Sequence, residues 1–172
     1  KKPTMKMEVD ALLDYRRGLE AYSRDSSWRM GVIAHFQENI RRIHAVAKQA
    51  RVPLMVLNPP VNLKDSPPFK SEHDDGFSEE ENLIFKDWIR KANELYRIDI
   101  SRATRYLQQA IELDPQHALT HYSLAHCYLA LGEFALAEQS FQIALVEDVC
   151  PLRLLPSMRD FVDDYSKKHN IP

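Results

Sequence analysis

His121-Tyr-Ser-Leu-Ala-His-Cys-Tyr-Leu-Ala-Leu-Gly132-Glu-Phe-Ala-Leu-Ala-Glu-Gln-Ser-Phe-Gln-Ile-Ala-Leu145 is the stretch on which the fold of this 172-residue chain turns. Leu124, Ala125 and Tyr128, then Ala137, Phe141, Ala144 and Leu145, recur at spacings of three and four. That spacing predicts two helices, over about 118–131 and 134–147, with Gly132 at the reversal, where a helix must stop. The second helix has a copy upstream. Ala103, Leu107, Ala110 and Ile111 precede Ala137, Phe141, Ala144 and Leu145 by 34 residues. A fixed period of this size marks an architecture in which each helical pair buries its apolar face on the next.

The motif within the period is specific. His121-x2-Leu124-Ala125-x2-Tyr128, Gly132, Ala137-x3-Phe141 and Ala144 resemble a tetratricopeptide (TPR) repeat. His121 stands where that pattern has Trp, and the closing proline is Pro151 rather than residue 149. The upstream copy is looser. Ala103-x3-Leu107, Ala110 and Pro115 fit, while Ala92 and Leu95 precede Ala125 and Tyr128 by only 33 residues. Alanines at 92, 103, 125 and 137 let the helices of a hairpin approach closely, and Leu107, Phe141 and Tyr128 fill the space between hairpins. Two repeats are few for a stable stack. The helices expected at 27–50 or 156–168 should therefore cap it.

Outward from the repeats, Ser78 and Glu81 form a capping box opening a helix that runs to about Tyr96. Near the N-terminus, Leu12, Tyr15, Leu19 and Tyr22 predict a helix over about 8–24, and Ile33, Phe36, Ile40, Ile43 and Ala47 a stronger one over about 27–50. Val52 to Leu57 is a short apolar run between prolines and reads as a buried strand. A buried strand needs neighbours, and no second convincing strand is present, which points to a chain that is part of something larger. Residues 59–77 are an irregular, proline-rich linker. The expected fold is mainly α: TPR-like helical hairpins (an α-α superhelix) with flanking helices and one short apolar strand near 53–57. The expected divisions are 1–58, 59–77, 78–150 and a C-terminal capping helix in 151–172.

Composition removes several functions. Only four of the 172 residues are glycine, at 18, 31, 76 and 132. A P-loop, a dinucleotide fingerprint and a nucleophile elbow all need closer glycines. Lys plus Arg number 23 against 25 Asp plus Glu, with no basic stripe, so nucleic acid is not an expected partner. No apolar run is long enough for a transmembrane helix, and KKPTMKMEVD lacks the apolar stretch of a signal peptide. Cys127 sits on an apolar helical pattern and reads as a core thiol. Two cysteines make no disulfide framework or metal spacing, and reduced thiols favour a cytoplasmic setting. His73, Asp74 and Asp75 are adjacent in sequence and do not converge easily on one ion. No metal and no cofactor are expected.

The resemblance to TPR proteins implies a concave groove, lined by the first helix of each hairpin, that binds extended peptides. Lys86, Ile89, Asn93 and Arg97 would come from the first hairpin and Tyr122, His126 and Leu129 from the second. Ile89 and Ser123 replace the Lys and Asn of the chaperone-tail clamp, so that specificity is not expected. Two occupants fit the groove: a peptide from a protein partner, or the chain's own linker or terminal helix.

A wider resemblance rests on Val52-Pro-Leu-Met-Val-Leu-Asn-Pro-Pro60, Ser66-Pro-Pro-Phe-Lys-Ser-Glu-His73 and Glu147-Asp-Val-Cys-Pro-Leu-Arg153. These resemble bacterial SGNH/GDSL-type hydrolases that carry inserted TPR repeats. The resemblance would place 27–58 and 151–172 in an α/β hydrolase-like domain, with Asn170-Ile171-Pro172 leading into a strand. It implies an ester hydrolase whose nucleophile and D-x-x-H blocks lie outside these residues. Asp114-Pro-Gln-His117 matches D-x-x-H as a string, yet falls on the inter-repeat turn, and no activated serine is identifiable. No catalytic residue is assigned. The expected function is a non-catalytic interaction scaffold, with self-association through an exposed apolar strand edge as a further expectation.

Overall fold

The computed structural model describes residues 18–172. After a 3-10 turn at Gly18–Ala21 come α1 (Ser26–Ala50), α2 (Glu79–Leu95), α3 (Ile100–Leu113), α4 (Ala118–Leu131), α5 (Phe134–Glu147) and α6 (Pro156–His169). The mainly helical fold expected from the periodicity is the one observed. The helix starts follow side-chain capping. Asp25 accepts from Trp28 N–H, Asp99 from Arg102 N–H, and Ser78 with Glu81 completes both halves of its capping box. Gly132 ends α4 at φ +79, where a side chain would be strained.

Helices α2 through α5 stack as successive antiparallel neighbours, α2 on α3, α3 on α4 and α4 on α5. The repeated alanines lie at the crossings. Ala92, Ala103, Leu107, Leu124 and Cys127 form one cluster, and Ala125, Ala137 and Phe141 the next. Ala103, Ala125 and Ala137 have no exposed surface, which is what close helix approach requires.

The flanks depart from the sequence reading in three places. First, the helix expected over 8–24 does not continue through the described residues. Leu12 and Tyr15 lie outside them, Leu19 is on the 3-10 turn, and Tyr22 has no regular structure. Gly18 is left-handed at φ +53, and Asp25 is extended because it caps α1. Second, α1 forms where its periodicity places it, yet carries no buried residue. Ile33, Phe36, Ile40 and Ala47 are half-buried and Ile43 is exposed, because only α6 packs along it.

Third, 53–57 is extended but not a strand. Exposure alternates, with Leu54, Val56 and Asn58 half-buried and Met55 and Leu57 exposed, as on a strand. A ladder needs a neighbouring chain, and among the described residues only Pro172 meets the segment through its backbone. One backbone bond joins them, Val56 N–H to the Pro172 carbonyl at 3.0 Å.

The arms are fixed to the stack by two arginines. Arg29 donates to the Val146 carbonyl and, at 2.8 Å, to the Asp148 carbonyl, satisfying groups at the C-terminus of α5. Arg24 reaches the Gln116 carbonyl at 2.9 Å and Glu147 at 2.6 Å.

Candidate functional site: the concave groove and its linker

The residues expected to line a groove lie on or just after the first helix of each hairpin, α2 and α4. Lys86, Ile89 and Asn93 follow spacings of three and four on α2 and share one face, while Arg97 lies in the turn after the helix ends at Leu95. Lys86, Asn93 and Arg97 are exposed and Ile89 is half-buried against the first core cluster. On α4, Tyr122, His126 and Leu129 are half-buried. Tyr122 and His126 meet edge to face at 4.7 Å, and both rings meet Phe141, at 5.5 and 5.1 Å.

The α4 half of this face holds the chain's own linker. Tyr122 Oη donates to the Lys64 carbonyl at 2.5 Å, and His126 Nε2 lies 3.1 Å from the same oxygen. Leu63 packs into the cluster of Ala125, Ala137 and Phe141. Arg153 donates to the Ser66 carbonyl at 2.6 Å from the other side. Further along, Ser71 Oγ accepts Leu119 N–H at 2.8 Å. Lys64 therefore meets the middle of α4 and Ser71 its first turn, so the linker runs back along that helix, with bends at Lys64, Asp65 and Phe69.

Two aspartates at the ends of the second helices tie the linker down. Asp114 and Asp148 lie 34 residues apart and are both fully buried. Asp148 accepts Phe69 N–H at 2.9 Å, Lys70 N–H at 3.1 Å and Cys150 N–H at 3.1 Å, with Arg153 at 3.4 Å. Asp114 Oδ2 meets His73 Nδ1 at 2.5 Å. A buried carboxylate is tolerable when hydrogen-bonded, as Asp148 is on both oxygens; Asp114 is held through Oδ2 alone, and its Oδ1 has no partner among the described residues. The repeat thus supplies the same acceptor twice and the linker answers each with different donors.

His73 is stacked on Phe77 at 4.3 Å and meets Phe85 and His117 at 4.9 and 5.1 Å. The Asp114-x-x-His117 string therefore does not act as a pair. Asp114 binds His73, while His117 Nδ1 contacts Thr120 Oγ1 at 2.8 Å at the start of α4. Burial, with His73 adding to it, pushes the His117 imidazole down to about 4 against the opposing pull of Asp114. It is a neutral ring at pH 7. Burial also raises Asp74, beside Asp114, and both thiols, Cys127 and Cys150. Glu72 is held low despite burial, because the Lys70 ammonium and Arg24 N–H bind its charged form.

The groove residues named from sequence thus fall into two sets. Tyr122, His126 and Leu129 lie on the linker-covered half, while Lys86, Ile89 and Asn93 lie on α2 and Arg97 in the turn after it, where no linker hydrogen bond reaches among the described residues. Sequence reasoning missed the holders, Asp148 and His73, and the inserted Leu63 and Lys64. The 34-residue interval between the two aspartates was a readable signal. What each accepts was not, since Phe69, Lys70 and His73 reach them only in the fold.

Residues 99–148 match the family model of the tetratricopeptide repeat. The chain therefore carries a TPR repeat, covering α3, α4 and α5. No curated protein and no solved structure matches it. None of these comparisons supports the hydrolase likeness. Among the described residues, no helix is long and apolar enough to cross a membrane.

Proposed function

We propose that this chain is a protein-interaction module in which the linker fills one half of the TPR groove and a partner's extended segment docks on the other. The observation that carries the reading is the linker itself. Leu63 and the Lys64 carbonyl sit on Tyr122, His126 and Phe141, which supports reading this face as a surface that takes a main-chain carbonyl and an apolar side chain together. TPR stacks bind protein or peptide partners in general. Here the surface left for a partner is the α2 face with Lys86, Ile89 and Asn93, together with Arg97 in the turn after it. Ile89 offers an apolar contact and Asn93 a donor and an acceptor for a partner's main chain. Lys86 and Arg97 are exposed cations with no ion pair among the described residues, which favours a segment carrying carboxylates.

The reading is tested by panning a random peptide library over the protein and measuring a selected peptide by fluorescence anisotropy. Binding should weaken at least about tenfold in a Lys86→Glu, Arg97→Glu double variant, equivalent to about 1.4 kcal/mol or more. Gln109→Glu, exposed on α3, should leave it unchanged. Peptides indifferent to the double variant, or equally sensitive to Gln109→Glu, would overturn the groove as the docking site.

A further inference from the structure

The linker meets the α4 face mainly through its backbone, and carbonyls of alternate residues take the contacts. The Lys64 carbonyl accepts from Tyr122 Oη at 2.5 Å and lies 3.1 Å from His126 Nε2. The Ser66 carbonyl accepts from Arg153 at 2.6 Å, and the Asn62 carbonyl lies 3.4 Å from the same guanidinium nitrogen. Within 62–66, only the Leu63 side chain joins a core cluster, that of Ala125, Ala137 and Phe141. Lys64 and Asp65 are exposed, and Asn62 Oδ1 turns back to accept Asp65 N–H at 2.9 Å, within the linker itself. A face that reads carbonyls and one apolar side chain is indifferent to most of the sequence it holds.

The segment is anchored on both sides by contacts that do not involve this face. Before it, Asn58 donates to the Arg159 carbonyl at 3.1 Å and to Asp163 at 2.8 Å. After it, Phe69 and Lys70 N–H donate to Asp148. Residues 59–68 bridge these anchors, with Pro59, Pro60, Pro67 and Pro68 at the two ends of the bridge. Proline fixes its own φ, so the bridge loses little freedom when its centre seats. A segment tethered at both ends faces its site at an effective concentration on the order of millimolar.

We infer, resting on the reading of this stack as a peptide-binding module, that the α4 face is a second peptide site and that 62–66 is its built-in competitor. The partner it takes is a segment with one Leu-like side chain followed by a residue whose carbonyl accepts from Tyr122 and His126. Such a segment makes the same contacts as Leu63 and Lys64, so it exchanges with them and adds none. Residues 62–66 lift from the face while Asn58 and Asp148 keep their hold on either side. The partner's apparent affinity is then its intrinsic affinity scaled by the fraction of molecules whose face is empty. Anything that keeps 62–66 lifted strengthens binding without altering the site.

The probe is the linker itself: a fluorescein-labelled peptide of residues 59–68, blocked at both ends, titrated against the full chain by anisotropy. Two variants of the protein free the face, Leu63→Ser and a replacement of 62–66 by Gly and Ser. Each should bind the probe at least about tenfold more tightly than the original chain does. The amides of 69 and 70 should stay protected from exchange, because Asp148 still accepts both. Tyr122→Phe added to Leu63→Ser should weaken the probe about fivefold, the worth of one hydrogen bond. A probe peptide that itself carries Leu63→Ser should lose the gain. Equal affinity for the original chain and both freed variants would overturn the inference, as would no binding to either at about 1 mM probe, the effective concentration of a short tether. A gain that survives Tyr122→Phe undiminished would overturn it too. Probe binding lost in the Lys86→Glu, Arg97→Glu double variant would move the probe to α2, overturning this site and leaving the α2 reading intact. Library peptides that ignore Lys86 and Arg97, beside a probe that gains on freeing, would overturn the α2 reading and leave this site standing.

Discussion

Helices α1 and α5 share an apolar periodicity in sequence and differ in what it accomplishes. Over 14 residues, α5 buries Ala137, Ser140, Phe141, Ala144 and Leu145. Over 25 residues, α1 buries none. The difference is in the neighbours. Helix α5 lies against α4, and its small residues let the backbones close to contact distance. Helix α1 packs on α6 along part of its length and touches the end of α5 through Arg29, and among the described residues Ile43 and Val46 stay exposed. Periodicity therefore reports which face of a helix is apolar. A second helix of matching spacing is what turns that face into a core.

The largest expected effect tests this contrast directly. Leu145 is 1% exposed on α5, so Leu145→Ala should destabilise the fold by about 3 kcal/mol, from lost transfer energy and the cavity left behind. Val46 on α1 is 66% exposed, and at low protein concentration Val46→Ala should cost less than about 0.5 kcal/mol. Urea unfolding of both variants measures the ratio. Equal losses would mean that α1 belongs to the same cooperative core as the repeats.

The same contrast decides how much was legible in advance. The hairpins were readable because their determinants are local and repeated: alanines at 103, 125 and 137, Gly132 at the reversal, and the Ser78–Glu81 cap. The helices flanking the linker were placed within a residue or two for the same reason. The extended segment at 53–57 was readable in conformation but not in pairing, because a strand is defined by its neighbour. The linker's seat in the groove was one of two occupants the residues allowed. Nothing in Leu63-Lys64 marks it as a ligand; the choice depends on Asp114 and Asp148 holding 69–73 at the other end.

A second effect, next in size, concerns that hold. His117 has a folded value of about 4 against an ordinary 6.5, so the unfolded chain binds the proton more tightly. Its contribution to stability is therefore fully present above about pH 6.5 and is lost as pH falls toward 4. The shift corresponds to roughly 3 kcal/mol, an upper figure for a ring at the edge of the core. Glu72, held low, adds loss in the carboxylate range, while Asp74, held high, opposes it. In His117→Asn, stability should be flatter between pH 6.5 and 4. An unchanged slope in urea unfolding across that range would place the acid sensitivity elsewhere.

The smallest effect isolates the linker from the fold beneath it. Tyr122 gives the Lys64 carbonyl its hydroxyl hydrogen bond while its ring rests on Phe141. Tyr122→Phe keeps the ring and removes only the hydroxyl, a loss of about 1 kcal/mol. Asp114 and Asp148 still hold 69–73, so the global unfolding midpoint should barely move. The change should appear as local opening: faster amide exchange and protease cleavage near 62–66, by about fivefold, with the amides of 69 and 70 protected as before. Cleavage rising equally across 62–73 would show that the linker is released as one piece. The two aspartates would then be a single latch with the groove, instead of an independent hold on its far end.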